Sequence, residues 1–169
     1  MDFRYMVTQL EVQGQACISL AGGLTDEAVR WKPNPSSWSV LEVFNHLIDE
    51  EIYDFRTHLE HILNTPDQPW PEIDPQGWVT QKGYNQRQLD KTLARFETER
   101  KASIAWLKTL TDPNWDAFVE FSWGKLTAGD MLASWVAHDL LHLRQLIELR
   151  YQLTAHFSQP YSLNYAGKW

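Results

Sequence analysis

The sequence predicts an all-α protein, a four-helix bundle formed by a single domain over residues 1–169. Three observations predict it. Four segments repeat apolar residues at spacings of three, four and seven, none sustains strand-like alternation, and the stretches between them hold Gly-Gly, Pro-rich and Asp-Pro punctuation. With 169 residues, 43% of them hydrophobic and 13% aromatic, the chain has the size of one ordinary domain and enough apolar side chains for a sizeable core.

The first helix, near 2–21, places Phe3, Met6, Val7, Leu10, Cys17 and Leu20 in one stripe and stops at Gly22-Gly23. A short helical turn is expected after Thr25. The second helix opens at Ser39, where S-V-L-E reads as a capping box with Glu42 reaching back to the cap. It runs to about Leu63, with Leu41, Phe44, Ile48, Ile52, Phe55, Leu59 and Ile62 on its greasiest face. A proline-rich passage over about 64–82 follows, long for a bundle connection, as loops that are functional or cover a site often are, and its Trp70 and Trp78 point to packing rather than disorder. The third helix, about 83–110, carries Leu89, Leu93, Phe96, Ser103, Leu107 and Leu110, and Asp112-Pro113 ends it. Thr127 with Asp130 is a weaker capping box that opens the fourth helix, about 127–151.

Composition excludes several classes. A net charge of −7 without basic clusters argues against nucleic-acid binding, which needs grouped Lys and Arg. No run of 18 apolar residues is present, so no membrane span is expected. The start M-D-F-R-Y-M-V-T lacks the basic and apolar regions of an export signal, so the cytoplasm is the expected location. The single Cys17 cannot form an internal disulfide and reads as a buried, inert thiol. G-K-L-T at 124–127 fails as a phosphate loop, having Leu126 where Ser or Thr is needed and Val119 where the first Gly belongs.

The chemistry concentrates on histidine. His138 and His142 stand four apart on the fourth helix, so both rings project from one face within about 6 Å, the bite of a metal-binding helix. At 100° per residue they share a stripe with Met131, Trp135, Gln145 and Leu149, while Ala133, Ala137, Arg144 and Glu148 fall on the opposite side. His46 is the candidate third ligand. It projects away from the greasiest face of the second helix, in a row with Glu42, Asp49, Glu50 and Tyr53. That row reads equally as a solvated face or as a polar cleft against the fourth helix.

The rival pair His58 and His61 lies near a helix C-terminus, where the dipole favours cations without any metal. His156 has no partner nearby in sequence and is expected to be exposed. Asp139 falls on an apolar flank beside Leu132, Val136 and Leu143 and so requires a buried partner, an imidazole N–H or, the favoured choice, an arginine.

The stretch W-S-V-L-E-V-F-N-H-L-I-D at 38–49, combined with A-S-W-V-A-H-D-L-L-H-L-R-Q-L at 133–146, resembles the DinB-like (YfiT-like) superfamily. The resemblance implies a metal site made by His46, His138 and His142, an up-down-down-up bundle whose long second connection is a crossover, and a homodimer. Three neutral imidazoles leave coordination positions open, as in catalytic sites, and suit zinc, nickel or iron alike. It further implies transfer of a low-molecular-weight thiol of the bacillithiol or mycothiol type to an electrophilic small-molecule substrate. In that reading Glu50 or Asp49 relays a proton, and Trp135 and Tyr53 shape the pocket. Two alternatives stand beside it: a metal-assisted hydrolase with Glu50 as base, and a noncatalytic metal-binding or stress-response module.

Overall fold

The computed structural model describes residues 1–169 and is built mainly from helices. In chain order these are α1 (Phe3–Ala21), α2 (Asp26–Arg30), α3 (Val40–Asp49), a π-helical segment (Glu50–Phe55), α4 (Arg56–Asn64), α5 (Pro75–Gln81), α6 (Leu89–Thr109) and α7 (Ala128–Phe157). α3, the π-helical segment and α4 follow one another without a break and together form the second long helix of the bundle. A β-hairpin, β1 (Phe118–Phe121) and β2 (Gly124–Thr127), precedes α7.

Both capping boxes form. Ser39 Oγ accepts from the Glu42 amide at 3.1 Å while Glu42 Oε2 accepts from the Ser39 amide at 2.8 Å, and Thr127 and Asp130 exchange the same bonds at 3.0 Å each. Thr25 caps α2, as its hydroxyl suggests.

The structure corrects four expectations. The proline-rich passage contains α5, started by the Asp74 cap and Pro75, whose missing N–H costs nothing in the first turn. The third helix begins at Leu89 rather than near 83, because Gly83 sits in the left-handed region at φ 58° and a 3₁₀ turn over Tyr84–Gln86 intervenes. The last helix extends to Phe157. The hairpin was not expected: its strands are four residues each, too short for alternation to register, and they pair Phe118 with Thr127 through Phe121 with Gly124.

Pairs of touching residues give the sense in which helices run. Asn45 meets Thr92, Phe44 meets Phe96 and Arg56 meets Glu99 and Ser103, so position rises together along the second long helix and α6. Against α7 it runs oppositely, with His46 facing His142 and Glu51 facing Trp135.

The core is divided. One apolar cluster gathers Cys17, Phe44, Ile48, Phe96 and Leu146, and the other Leu10, Phe55, Leu59, Ile104 and Val136. On each long helix the residues between the clusters include buried polar groups: Gln13 on α1, Asp49, Glu50 and Glu51 on the second, Arg100 and Ser103 on α6, and Asp139 on α7. His138 and His142, between Val136 and Leu146 on α7, belong to this middle layer, and His46 faces them from α3.

Candidate metal centre

α7 presents His138 and His142 one turn apart, and α3 lays His46 against them. His142 Nε2 is 3.1 Å from His46 Nε2 and 3.0 Å from His138 Nε2, and the three ligand atoms all lie within 4.8 Å of one another. Tetrahedral nitrogen ligands about 2.1 Å from a metal stand roughly 3.4 Å apart, so the cluster has nearly the spacing an ion would impose.

The electrostatics suit a cation. Burial, with the positive fields of His142 and His138 added, pushes His46 down to about 2. Burial and His142 push His138 down to about 3, and burial lowers His142. All three are therefore neutral ligands at pH 7, with no proton for a metal to displace. Gln145 Oε1 accepts from His142 Nδ1–H at 2.8 Å, which turns the Nε2 lone pair toward its neighbours.

Two orphaned atoms complete the fit. His46 Nδ1 and Glu50 Oε1 are buried without a hydrogen-bond partner and face each other at 3.5 Å. A small closure would bond the Glu50 carboxyl to the His46 ring, an outer contact of the kind that commonly orients a metal-bound ring.

The π-helical segment arranges the acidic groups. Its wider turn keeps His46, Glu50, Asp54 and His58, spaced by four, on one side. Burial first, and Asp54 and Asp49 after it, push Glu50 up to about 9. Burial would raise Asp54, but its hydrogen bonds with His58 and Glu50 outweigh it and hold that carboxyl below its usual range. His58 Nδ1 lies 2.6 Å from Asp54 Oδ1, and its Nε2–H donates to the Pro71 carbonyl at 2.8 Å.

These groups form the floor of an open cavity of about 930 Å³, walled by Trp38, Phe55, Pro75, Gln76, Arg144 and Gln145 among others. The Trp38 ring lies parallel to that of His142, at 1° and 6.3 Å, and 4.8 Å from His46.

Of the residues expected at the site, His46, His138, His142 and Glu50 come together. Asp49 does not: its carboxylate is taken by Lys82 Nζ at 2.6 Å and by the Tyr84 hydroxyl, facing the connection instead. Tyr53 is 44% exposed and packs on Trp78. Trp135 is buried beneath the site, donating to Glu51 at 3.1 Å. Neither lines the cavity.

The polar row on the second helix divides: Glu42, His46, Asp49 and Glu50 are buried, but only His46 and Glu50 line the cavity, while Glu42 bonds Lys32 and Ser39, Asp49 bonds Lys82 and Tyr84, and Tyr53 is exposed. His58 and His61 are buried too, against Trp70, rather than solvated. His156 is exposed as expected and rests on Trp31. Asp139 pairs with Arg100. Arg144 and Glu148, placed opposite the histidines by helical geometry, nonetheless reach the cavity wall. Trp38, Asp54 and Gln145 went unrecognised as site residues. Asp54 was detectable, four residues beyond Glu50.

The bundle and its three converging imidazoles define a class, a helical protein with a candidate three-histidine metal centre at the base of an open cavity. The chain belongs to the DinB superfamily, whose family model matches residues 9–146. Among solved structures it is similar to YfiT from Bacillus subtilis, described as a probable metal-dependent hydrolase with an unusual four-helix bundle topology. The TM-score is 0.78 at 19% identity, over 89% of this chain and 87% of that one, a likeness of fold. No curated protein matches this sequence.

Proposed function

We propose that this protein is a metal-dependent enzyme in which His46, His138 and His142 hold a divalent ion, zinc, nickel or iron, and that it hydrolyses a small molecule bound in the cavity. The observation that carries this reading is the convergence of three neutral imidazoles beside the buried Glu50–Asp54 pair in one open cavity. The description of YfiT as a probable metal-dependent hydrolase supports it. The ion would supply a Lewis acid that lowers the pKa of a nucleophile in its open position and polarises the substrate.

The chain's own residues do the rest. Glu50, pushed up to about 9 and so protonated at pH 7, with Oε1 3.5 Å from His46 Nδ1, is placed to give and recover a proton. Asp54 beside it, held by His58, keeps a negative charge near that proton. Gln145 fixes the His142 ring, and Trp38 covers both His46 and His142. Asp49, committed to Lys82 and Tyr84, has no part in this proton path.

A second reading is transfer of a low-molecular-weight thiol to an electrophile, supported by the size and polarity of the cavity, which includes Ser36, Ser37, Gln76 and Gln152. Elemental analysis of untagged protein, then turnover of an ester and amide panel with and without added thiol, tests both. Metal near one equivalent with thiol-independent hydrolysis supports the first reading, strict thiol dependence supports the second, and no metal after reconstitution refutes both.

We also read the bundle as up-down-down-up with a crossover over 65–88, supported by the parallel run of the second long helix and α6. We likewise propose a cytoplasmic homodimer, the dimer supported by the exposed Leu140 and Ile147 on α7; no helix is long and apolar enough to cross a membrane.

A further inference from the structure

We infer that Arg100 is a positioning residue for the metal centre, gripping from behind the two helices that carry the ligands. This rests on the metal reading above. Arg100 enters the middle layer from α6 and is almost wholly buried, 4% exposed. Its Nη2 is 2.6 Å from Glu51 Oε1 and donates to Asp139 Oδ1 at 2.9 Å. Its Nη1 donates to Asp139 Oδ2 and, at 2.7 Å, to the Leu10 carbonyl of α1. One guanidinium thus touches all the other long helices.

Both carboxylates are neighbours of site residues. Asp139 follows His138 directly, and Glu51 follows Glu50 inside the π-helical segment. Glu51 Oε1 also accepts from Trp135 Nε1 at 3.1 Å. Trp135 stacks on Phe55, 5.7 Å apart at 8°, and Phe55 lies 5.0 Å from the His138 ring. Contacts therefore run unbroken from the guanidinium to a ligand.

Stability alone is a poor account of this arrangement. Two carboxylates share one guanidinium, and Arg100 Nε and Glu51 Oε2 are buried without partners. Buried ionic triads are commonly replaced by apolar residues with no loss of stability. What a planar fork provides is a fixed separation between two carboxylates, and so between the helices bearing them. α1 leaves room for it at Gly14, where a Cβ would stand 3.3 Å from Arg100 Cγ.

The test compares Co²⁺ binding and the visible spectrum of bound Co²⁺ in wild type, R100K and the triple variant E51M/R100M/D139L, each first checked for cooperative unfolding. Wild type beside H142A comes first: no Co²⁺ bound by wild type would overturn the metal reading itself. With wild type binding, both variants should fold, bind at least ten-fold more weakly and show an altered spectrum, since ammonium carries charge without the fork and the apolar core carries neither. Affinity within two-fold of wild type with an unchanged spectrum, in either folded variant, would overturn the assignment. So would failure of both variants to fold, which would make the triad a stability element.

Discussion

Acidifying the metal-free protein probes the histidine cluster directly. His46 and His138 are held at about 2 and about 3 in the folded chain, against about 6.5 when unfolded. Below pH 6.5 the unfolded chain takes up protons that the folded chain refuses. These rings contribute their full stability above that pH and lose it as pH falls toward the folded values. Each costs about 1.4 kcal/mol per pH unit in that window. Glu50, raised to about 9, acts in the opposite sense, because its folded form keeps a proton that the unfolded chain releases above about 4.5. His142, also lowered by burial, adds to the loss and Glu51, also raised by burial, works against it; the remaining two rings against one carboxyl make the net loss between pH 6.5 and 4.5 about 3 kcal/mol, a large part of an ordinary domain's stability. Urea unfolding followed by circular dichroism at four pH values across this window measures it. A double variant, H46Q/H138Q, should show the slope abolished or reversed. A wild-type stability that holds steady or rises on acidification would refute the claim that these rings are buried and neutral.

Other outcomes follow from the same geometry. Replacing His142 with Ala removes the nitrogen that lies within 3.1 Å of both other ligands, so metal content should drop from about one equivalent to near zero with far-ultraviolet dichroism unchanged, as elemental analysis would register. Cys17, pushed up to about 12 first by burial and then by Asp139, should resist a disulfide reagent at pH 8 in the native protein and react at once in denaturant. Phe44 is fully buried edge-on to Phe96 at 5.6 Å; Phe44→Ala should lower unfolding free energy by about 3–5 kcal/mol in a urea titration.

Periodicity and caps carried most of the helical architecture, because α1, α6 and α7 bury one stripe each and capping boxes at Ser39 and Thr127 mark the starts of α3 and α7. The site was half legible. The four-residue bite of His138 and His142 is local, whereas the placement of His46 depends on which helix its polar face meets, and residue patterns alone left that open. The π-helical segment defeated extrapolation at 100° per residue beyond Glu50, which placed Tyr53 in the row where Asp54 lies, whereas Asp49, still in α3, is drawn aside by Lys82 and Tyr84. Arg144 shows a further reason: a long side chain reaches a wall that its Cα direction does not indicate. The hairpin stayed hidden because four residues per strand offer too few repeats to count.

The connection between the second long helix and α6 supplies one side of the cavity. Pro75 and Gln76 form part of its wall, and their segment is moored through Lys82, whose ammonium sits 3.9 Å from the Trp78 ring and 4.5 Å from that of Tyr53 while bonding Asp49. Pro75 and Gln76 belong to neither apolar cluster, so this part of the wall is held by those polar and ring contacts rather than by the core. One side of the cavity is thereby tied to the second long helix through a single ammonium, bonded to Asp49 and set against two aromatic rings.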